Sequence, residues 1–168
     1  YYRNTKQKKP RGKDADDKGI RLASGVTDFK IAPNGEFVIY IKNDRLYISN
    51  LKEERSISSE TQEYYLSSDA KKILYKKSDG DLYLSGVGKK DKPEKIDSEV
   101  SGIVSNPFEY SKIYYMKDES LYVKEYGKDK VKIASDVSNA SMIGDNCFFT
   151  KEVTSEKKFK DLFNDDCA

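Results

Sequence analysis

The stretch IKNDRLYISNL, residues 41–51, carries a Leu-Tyr pair just after a polar turn. Nearly the same phrase returns as KKSDGDLYLSG at 76–86 and as MKDESLYVKEY at 116–126. A chain that restates one strand-sized phrase at regular intervals is built from repeated supersecondary units. Outward from the Leu-Tyr pair, a second phrase marks the joints: LASGV starts at Leu22, ISSET at Ile57, IDSEV at Ile96 and IASDV at Ile133, a period of about 37 residues. Between joints the order of signals is constant. A run after the joint (VTDFKIAPNG, TQEYYLSSDA, VSGIVSNPFE, VSNASMIGDN) leads to an apolar run (FVIYI, KILYK, KIYYM, CFFTK), and that leads to the Leu-Tyr segment.

Turn-forming residues bound each piece. Pro33-Asn34-Gly35, Ser68-Asp69-Ala70 and Gly144-Asp145-Asn146 separate the first run from the second, and Asn43-Asp44, Ser78-Asp79-Gly80 and Asp118-Glu119 separate the second from the third. The spacing therefore predicts an all-β chain of four-stranded antiparallel units. The units show alternation and short apolar runs, without the i, i+3, i+4 spacing of a helical solenoid. One such sheet cannot bury both faces, but sheets stacked face to face can, which is the physical logic of β-propeller blades. Strand alternation then turns Leu46, Leu82 and Leu121 toward one neighbouring blade and Tyr47, Tyr83 and Tyr122 toward the other. Ile39-Tyr40, Leu74-Tyr75, Tyr114-Tyr115 and Phe148-Phe149 are expected to bury in the second strands in the same way. Three units are complete and a fourth is partial; an IRLAS strand at 20–24 with a third strand from KFKDLFND at 158–165 would close that fourth blade.

The pattern in IAPNGEFVIYIKNDRLYISNL, and more loosely in LSSDAKKILYKKSDGDLYLSG, resembles the repeats of TolB-like and WD-like β-propellers: a Ser-Pro-Asp-Gly turn, an apolar strand ending in an aromatic, a polar turn and a Leu-Tyr strand. The resemblance spans residues 20–150. It departs at Ala32-Pro33-Asn34-Gly35 and Ser67-Ser68-Asp69-Ala70, and the third unit has Ser105-Asn106-Pro107-Phe108 with extra residues. The resemblance implies a non-catalytic ligand- or protein-binding platform of the bacterial cell envelope. The alternatives are a regulatory propeller of a larger enzyme and a soluble carbohydrate- or peptide-binding module.

Composition narrows the chemistry. The 31 basic and 29 acidic residues leave a net charge of +2, too little for an overall field that gathers nucleic acid, so no nucleic-acid partner is expected. The chain has no His, which removes Ser-His-Asp and Cys-His pairs and His-ligated zinc, and no carboxylate pair stands out among the 29 acids. No enzyme activity, catalytic residue, metal or cofactor is expected. GVGKK at 86–90 lacks the spacing of a phosphate loop, and DADDKG at 14–19 lacks the closing Glu of a calcium loop. Cys147 aligns with Val38, Ile73 and Ile113 as a small core residue, and a bridge to Cys167 is the redox alternative; Asn139-Ala140-Ser141 is a glycosylation triplet.

Residues 1–19 form a separate segment before the propeller domain at 20–168. Arg3, Lys6, Lys8, Lys9, Arg11 and Lys13 make it basic and without apolar periodicity, a linker or a juxtamembrane tail. With no membrane-length apolar run, the chain as it stands is expected to be soluble, extracytoplasmic or at the cell surface, and joined to a membrane only through an N-terminal anchor outside this sequence. The expected partner is a protein, peptide or glycan, with a homodimer if the ring is incomplete. Tyr64, Tyr65, Tyr110 and Tyr126, outside or beside the repeated core positions, are the candidate binding-face aromatics.

Overall fold

The computed structural model describes residues 22–50, 52–104 and 110–152. Blade 1 consists of β1 (Val26–Ile31), β2 (Val38–Lys42), β3 (Arg45–Ser49) and β4 (Glu54–Ser58), hydrogen-bonded in that order. Blade 2 repeats it with β5 (Thr61–Leu66), β6 (Lys72–Lys77), β7 (Leu82–Gly86) and β8 (Glu94–Asp97). A third sheet holds β9 (Gly102–Ile103), β10 (Lys112–Lys117), β11 (Ser120–Glu125) and β12 (Lys130–Ala134), and β13 (Val137–Ile143) and β14 (Asn146–Lys151) form a hairpin. Every pairing is antiparallel. The chain forms two compact units: blades 1 and 2 together with Tyr110 make the first, and the third sheet and the hairpin belong to the second.

The joint phrase is the hand-over between sheets rather than a strand of its own. Its fourth residue is left-handed each time, at Gly25 (φ 69°), Glu60 (56°), Glu99 (56°) and Asp136 (57°). This reversal sends the chain from one sheet into the next. The fifth residue then locks the joint by donating its amide to a carbonyl in the turn between the second and third strands of the sheet just left. The bonds are Thr61 to Asp44 at 2.8 Å, Val100 to Gly80 at 2.9 Å and Val137 to Glu119 at 2.8 Å. Gly80 is itself at φ 86°, and a Cβ there would stand 3.0 Å from the Glu99 Cα, so this close crossing requires glycine.

The turns are built as their residues suggest. Asn43-Asp44 and Asp118-Glu119 have positive φ at both central positions, the twist that suits a two-residue hairpin. Asn34 Oδ1 accepts the Glu36 amide at 3.1 Å and Asp69 Oδ1 the Lys71 amide at 3.0 Å, so the same side-chain-to-backbone turn opens the second strand of both blades.

Within the first unit the core lies between the two blades. Ile39, Ile41, Leu46 and Ile48 of blade 1 pack against Tyr64, Ile73 and Tyr75 of blade 2, with Tyr83 alongside. Leu46 thus faces forward and Tyr83 backward, as strand alternation requires. The backward face carries a cross-strand tyrosine stack in every four-stranded sheet: Tyr40 on Tyr47 at 5.5 Å, Tyr75 on Tyr83 at 5.4 Å and Tyr115 on Tyr122 at 5.7 Å between ring centroids.

Two expectations are corrected. Leu22–Ser24, the described part of IRLAS, is not a strand; the first strand begins at Val26 because the left-handed Gly25 comes before it. Phe148 and Phe149 are not buried: β14 has no third-strand neighbour among the described residues, and they remain 53% and 40% exposed. Cys147 is partly buried at the register position of Ile73, and that burial raises its thiol pKa. Residues 1–19, 105–108 and 158–165, with Cys167, lie outside the described residues.

Candidate functional site

The four candidate tyrosines have different fates. Tyr64 and Tyr110 are buried, which corrects their assignment to an exposed patch: each uses its ring for packing. Tyr65 is half-buried and Tyr126 is 68% exposed. Tyr64 and Tyr65 do come together, on Lys30 of β1. The Lys30 ammonium lies 4.7 Å from one ring centroid and 4.9 Å from the other, and it donates to the Tyr64 carbonyl oxygen at 2.9 Å. This cation clamps the first strand of blade 1 to that of blade 2. Burial, then the charge of Asp28, raises the Tyr64 phenol well above its ordinary value. Burial, with Tyr65 beside it, does the same for Tyr110. Tyr126 follows β11 in the other unit.

Between the blades of the first unit, on the side of their later strands, runs an open groove of about 600 Å³. Phe37, Ile48 and Val87 contribute its apolar surface, and Glu36, Glu53, Glu54, Arg55 and Lys89 its charges. Each of these charges is held by a neighbour. Glu54 accepts the Tyr40 hydroxyl, Arg55 donates to the Val87 carbonyl, Lys89 pairs with Glu53, and Glu36 accepts the Asn34 side-chain amide at 2.9 Å. Lys89 holds the Glu53 carboxyl below its ordinary range. The groove therefore offers a preorganised charged rim around apolar side chains, and its carboxylates are tied into structural contacts. Sequence reasoning missed these residues. Residues 48 and 87 belong to different repeats, and only the stacking of the blades brings them to one surface.

The glycine-rich loop after β7 binds an anion, but its own. The Gly88 amide donates to Asp91 Oδ2 at 2.7 Å, and a Cβ on Gly86 or Gly88 would fall 2.1 or 2.7 Å from that same oxygen. A side chain on either glycine would push the Asp91 carboxylate out of the position it takes in this loop. Among the described residues no group of three or more His, Cys, Asp or Glu is placed to hold a metal ion. No helix among them is long and apolar enough to cross a membrane.

The comparisons agree on fold and on little else. No family model matches the chain. No curated protein matches it either. Among solved structures it is similar to the N-terminal domain of Nup159, a β-propeller, at TM-score 0.52 and 12% identity, covering 77% of this chain and 40% of that one. It is also similar to PorZ, described as an essential surface component of the type-IX secretion system of Porphyromonas gingivalis, at TM-score 0.48 and 14% identity, over 74% of this chain and 18% of that one. A third likeness is to the Cps50 (Swd1) β-propeller domain of Myceliophteria thermophila, at TM-score 0.47 and 14% identity, over 64% and 38%. The chain thus spans less than half the length of each of these propellers. With the blade-like sheets, the Nup159 likeness defines a β-propeller-type domain.

Proposed function

We propose that this is a non-catalytic binding or scaffolding propeller domain, and that it holds an extended segment of a partner protein in the groove between blades 1 and 2. The observation that carries the proposal is the groove itself, about 600 Å³, where Phe37, Ile48 and Val87 are flanked by charges already held in place. Apolar anchors inside a satisfied polar rim bind a peptide's side chains without leaving a buried charge unpaired. The absence of His and the tied carboxylates of the groove argue for binding over chemistry. The TolB-like, cell-envelope setting belongs to the same proposal. It rests on the turn and Leu-Tyr phrases and on the basic run from Arg3 to Lys13, which suits a tether near anionic headgroups.

The test is selection of displayed random peptides on the whole chain and on a Val87→Arg variant. The expected result is a family of sequences with apolar anchors that binds the wild type and loses the variant, whose circular dichroism stays that of the wild type. Equal binding to both chains, or no enrichment on either, would overturn the groove as the binding site.

A further inference from the structure

Every four-stranded sheet sets a tyrosine of its second strand opposite one of its third: Tyr40 and Tyr47, Tyr75 and Tyr83, Tyr115 and Tyr122. The β13–β14 hairpin carries half of that pair. Phe149 lies opposite Ala140, and Val137 opposite Lys151 with a bulge between, just as Tyr75 lies opposite Tyr64 and Thr61 opposite Lys77, so Phe149 stands where Tyr75 does. Met142 and Cys147 share its face and are half-buried, whereas Phe149 is 40% exposed against 2% for Tyr75. The sheet before it in the same unit is open at the matching place. Its Leu121 is buried, but Ile133 on the outer strand is 41% exposed. Leu121 lies opposite Ala134 as Leu46 does opposite Ser58, which puts Ile133 in the position of Ile57. Ile57 packs against the core between the blades, as does Tyr83 of the third strand of blade 2. Phe149 and Ile133 are therefore both bare for want of one side chain, the third-strand aromatic.

The chain leaves β14 as it leaves β6. In blade 2 the Ser78 amide donates to the Glu60 carbonyl at 2.8 Å and opens the turn into the third strand; the Glu152 amide donates to the Asp136 carbonyl, at the same place in its joint, at 3.2 Å. The sequence beyond then restates the third-strand phrase, with Asp161-Leu162-Phe163 for Asp81-Leu82-Tyr83. We propose that residues 161–165 dock on the free edge of β14 as an antiparallel third strand, with Leu162 opposite Thr150 and Phe163 stacked on Phe149 beside Ile133. This is the register of blade 2, where Leu82 lies opposite Lys76 and Tyr83 opposite Tyr75. Residues 152–160 form the connecting loop. An edge strand offers its free N–H and C=O groups to any extended chain, and a segment tethered to the same hairpin reaches them at a high effective concentration. The aromatic pair then fixes the register, as cross-strand pairs do. This inference is independent of the groove between blades 1 and 2.

Disulfide trapping in the full chain tests it, with Thr150→Cys and Leu162→Cys introduced together after Cys147→Ser and Cys167→Ser have removed the native thiols. A disulfide closes only between neighbouring backbone positions. The expected result under mild oxidation is loss of both free thiols within a monomer, with peptide mapping joining position 150 to position 162. Asn146→Cys with Leu162→Cys, four residues out of register, is expected to keep its thiols. Retained thiols in the first pair, equal closure of both pairs, or a disulfide between two copies would each overturn the proposal. Should the first pair lose its sheet spectrum, urea midpoints of Phe149→Ala, Phe163→Ala and the double variant decide instead. A double-variant shift well short of the sum supports the stack, whereas additive shifts or a wild-type midpoint for Phe163→Ala overturn it.

Discussion

Thr61 shows how a repeat exposes a single residue's cost. The fifth letter of the joint phrase is Val at 26, 100 and 137 but Thr at 61, and the Thr61 hydroxyl is buried without a hydrogen bond. A buried, unpaired hydroxyl loses its water and gains nothing. Thr61→Val, which keeps the branched shape, is therefore expected to raise the unfolding free energy by about 1 kcal/mol. A urea midpoint equal to or below that of the wild type would contradict this. Some of the residue-scale logic was legible beforehand: Asn43-Asp44 and Asp118-Glu119 read as turns, and both residues of each pair have positive φ. Glu60 and Glu99 in the joint phrase did not announce themselves, because Glu has no preference for positive φ; Asp136, at the fourth joint, is of a type that tolerates it better.

At the scale of the element, the Leu-Tyr strand is the unit on which each sheet depends. Leu82 is fully buried, and Tyr83 beside it stacks on Tyr75. Leu82→Ala is expected to cost about 2 to 5 kcal/mol from lost transfer energy and a residual cavity. An unchanged midpoint in chemical denaturation would remove Leu82 from the core. The second and third strands could be read well from sequence because apolar runs between strong turns determine them locally. The first strands were harder. VTDFKI is mostly exposed along β1, and in the third sheet the first strand among the described residues is the two-residue Gly102–Ile103. Phe148-Phe149 reads like the other second strands yet stays open, since burial depends on the neighbour and not on the strand's own composition.

At the scale of the whole molecule, charge predicts a particular pH profile. Lys95 holds the Asp81 carboxyl below its ordinary 3.8, and Lys128 and Lys89 hold those of Glu125 and Glu53 below 4.5. Lowered carboxyls favour the folded state above their ordinary pKa, and that contribution fades as pH falls through the folded values. Burial raises the Tyr75 phenol from 10.0 to about 12, and those of Tyr40, Tyr64 and Tyr110 further. A raised phenol acts in the opposite direction: its contribution is complete below pH 10 and is lost as pH climbs toward the folded value. With no His to titrate between, stability should be flat from about pH 5 to 8, falling below about 4 and above about 10. Urea midpoints across that range check this, and a step near pH 6.5 would contradict it. The sequence by itself determined the repeat, the strands, the turns and which side chains share a face, because these follow from spacing within a few residues. Tertiary structure alone decided which faces are covered. Tyr64 is buried and its counterpart Phe29 bare because blade 1 covers one and no described sheet covers the other, and the groove exists only where residues 37, 48, 55 and 87 are stacked together.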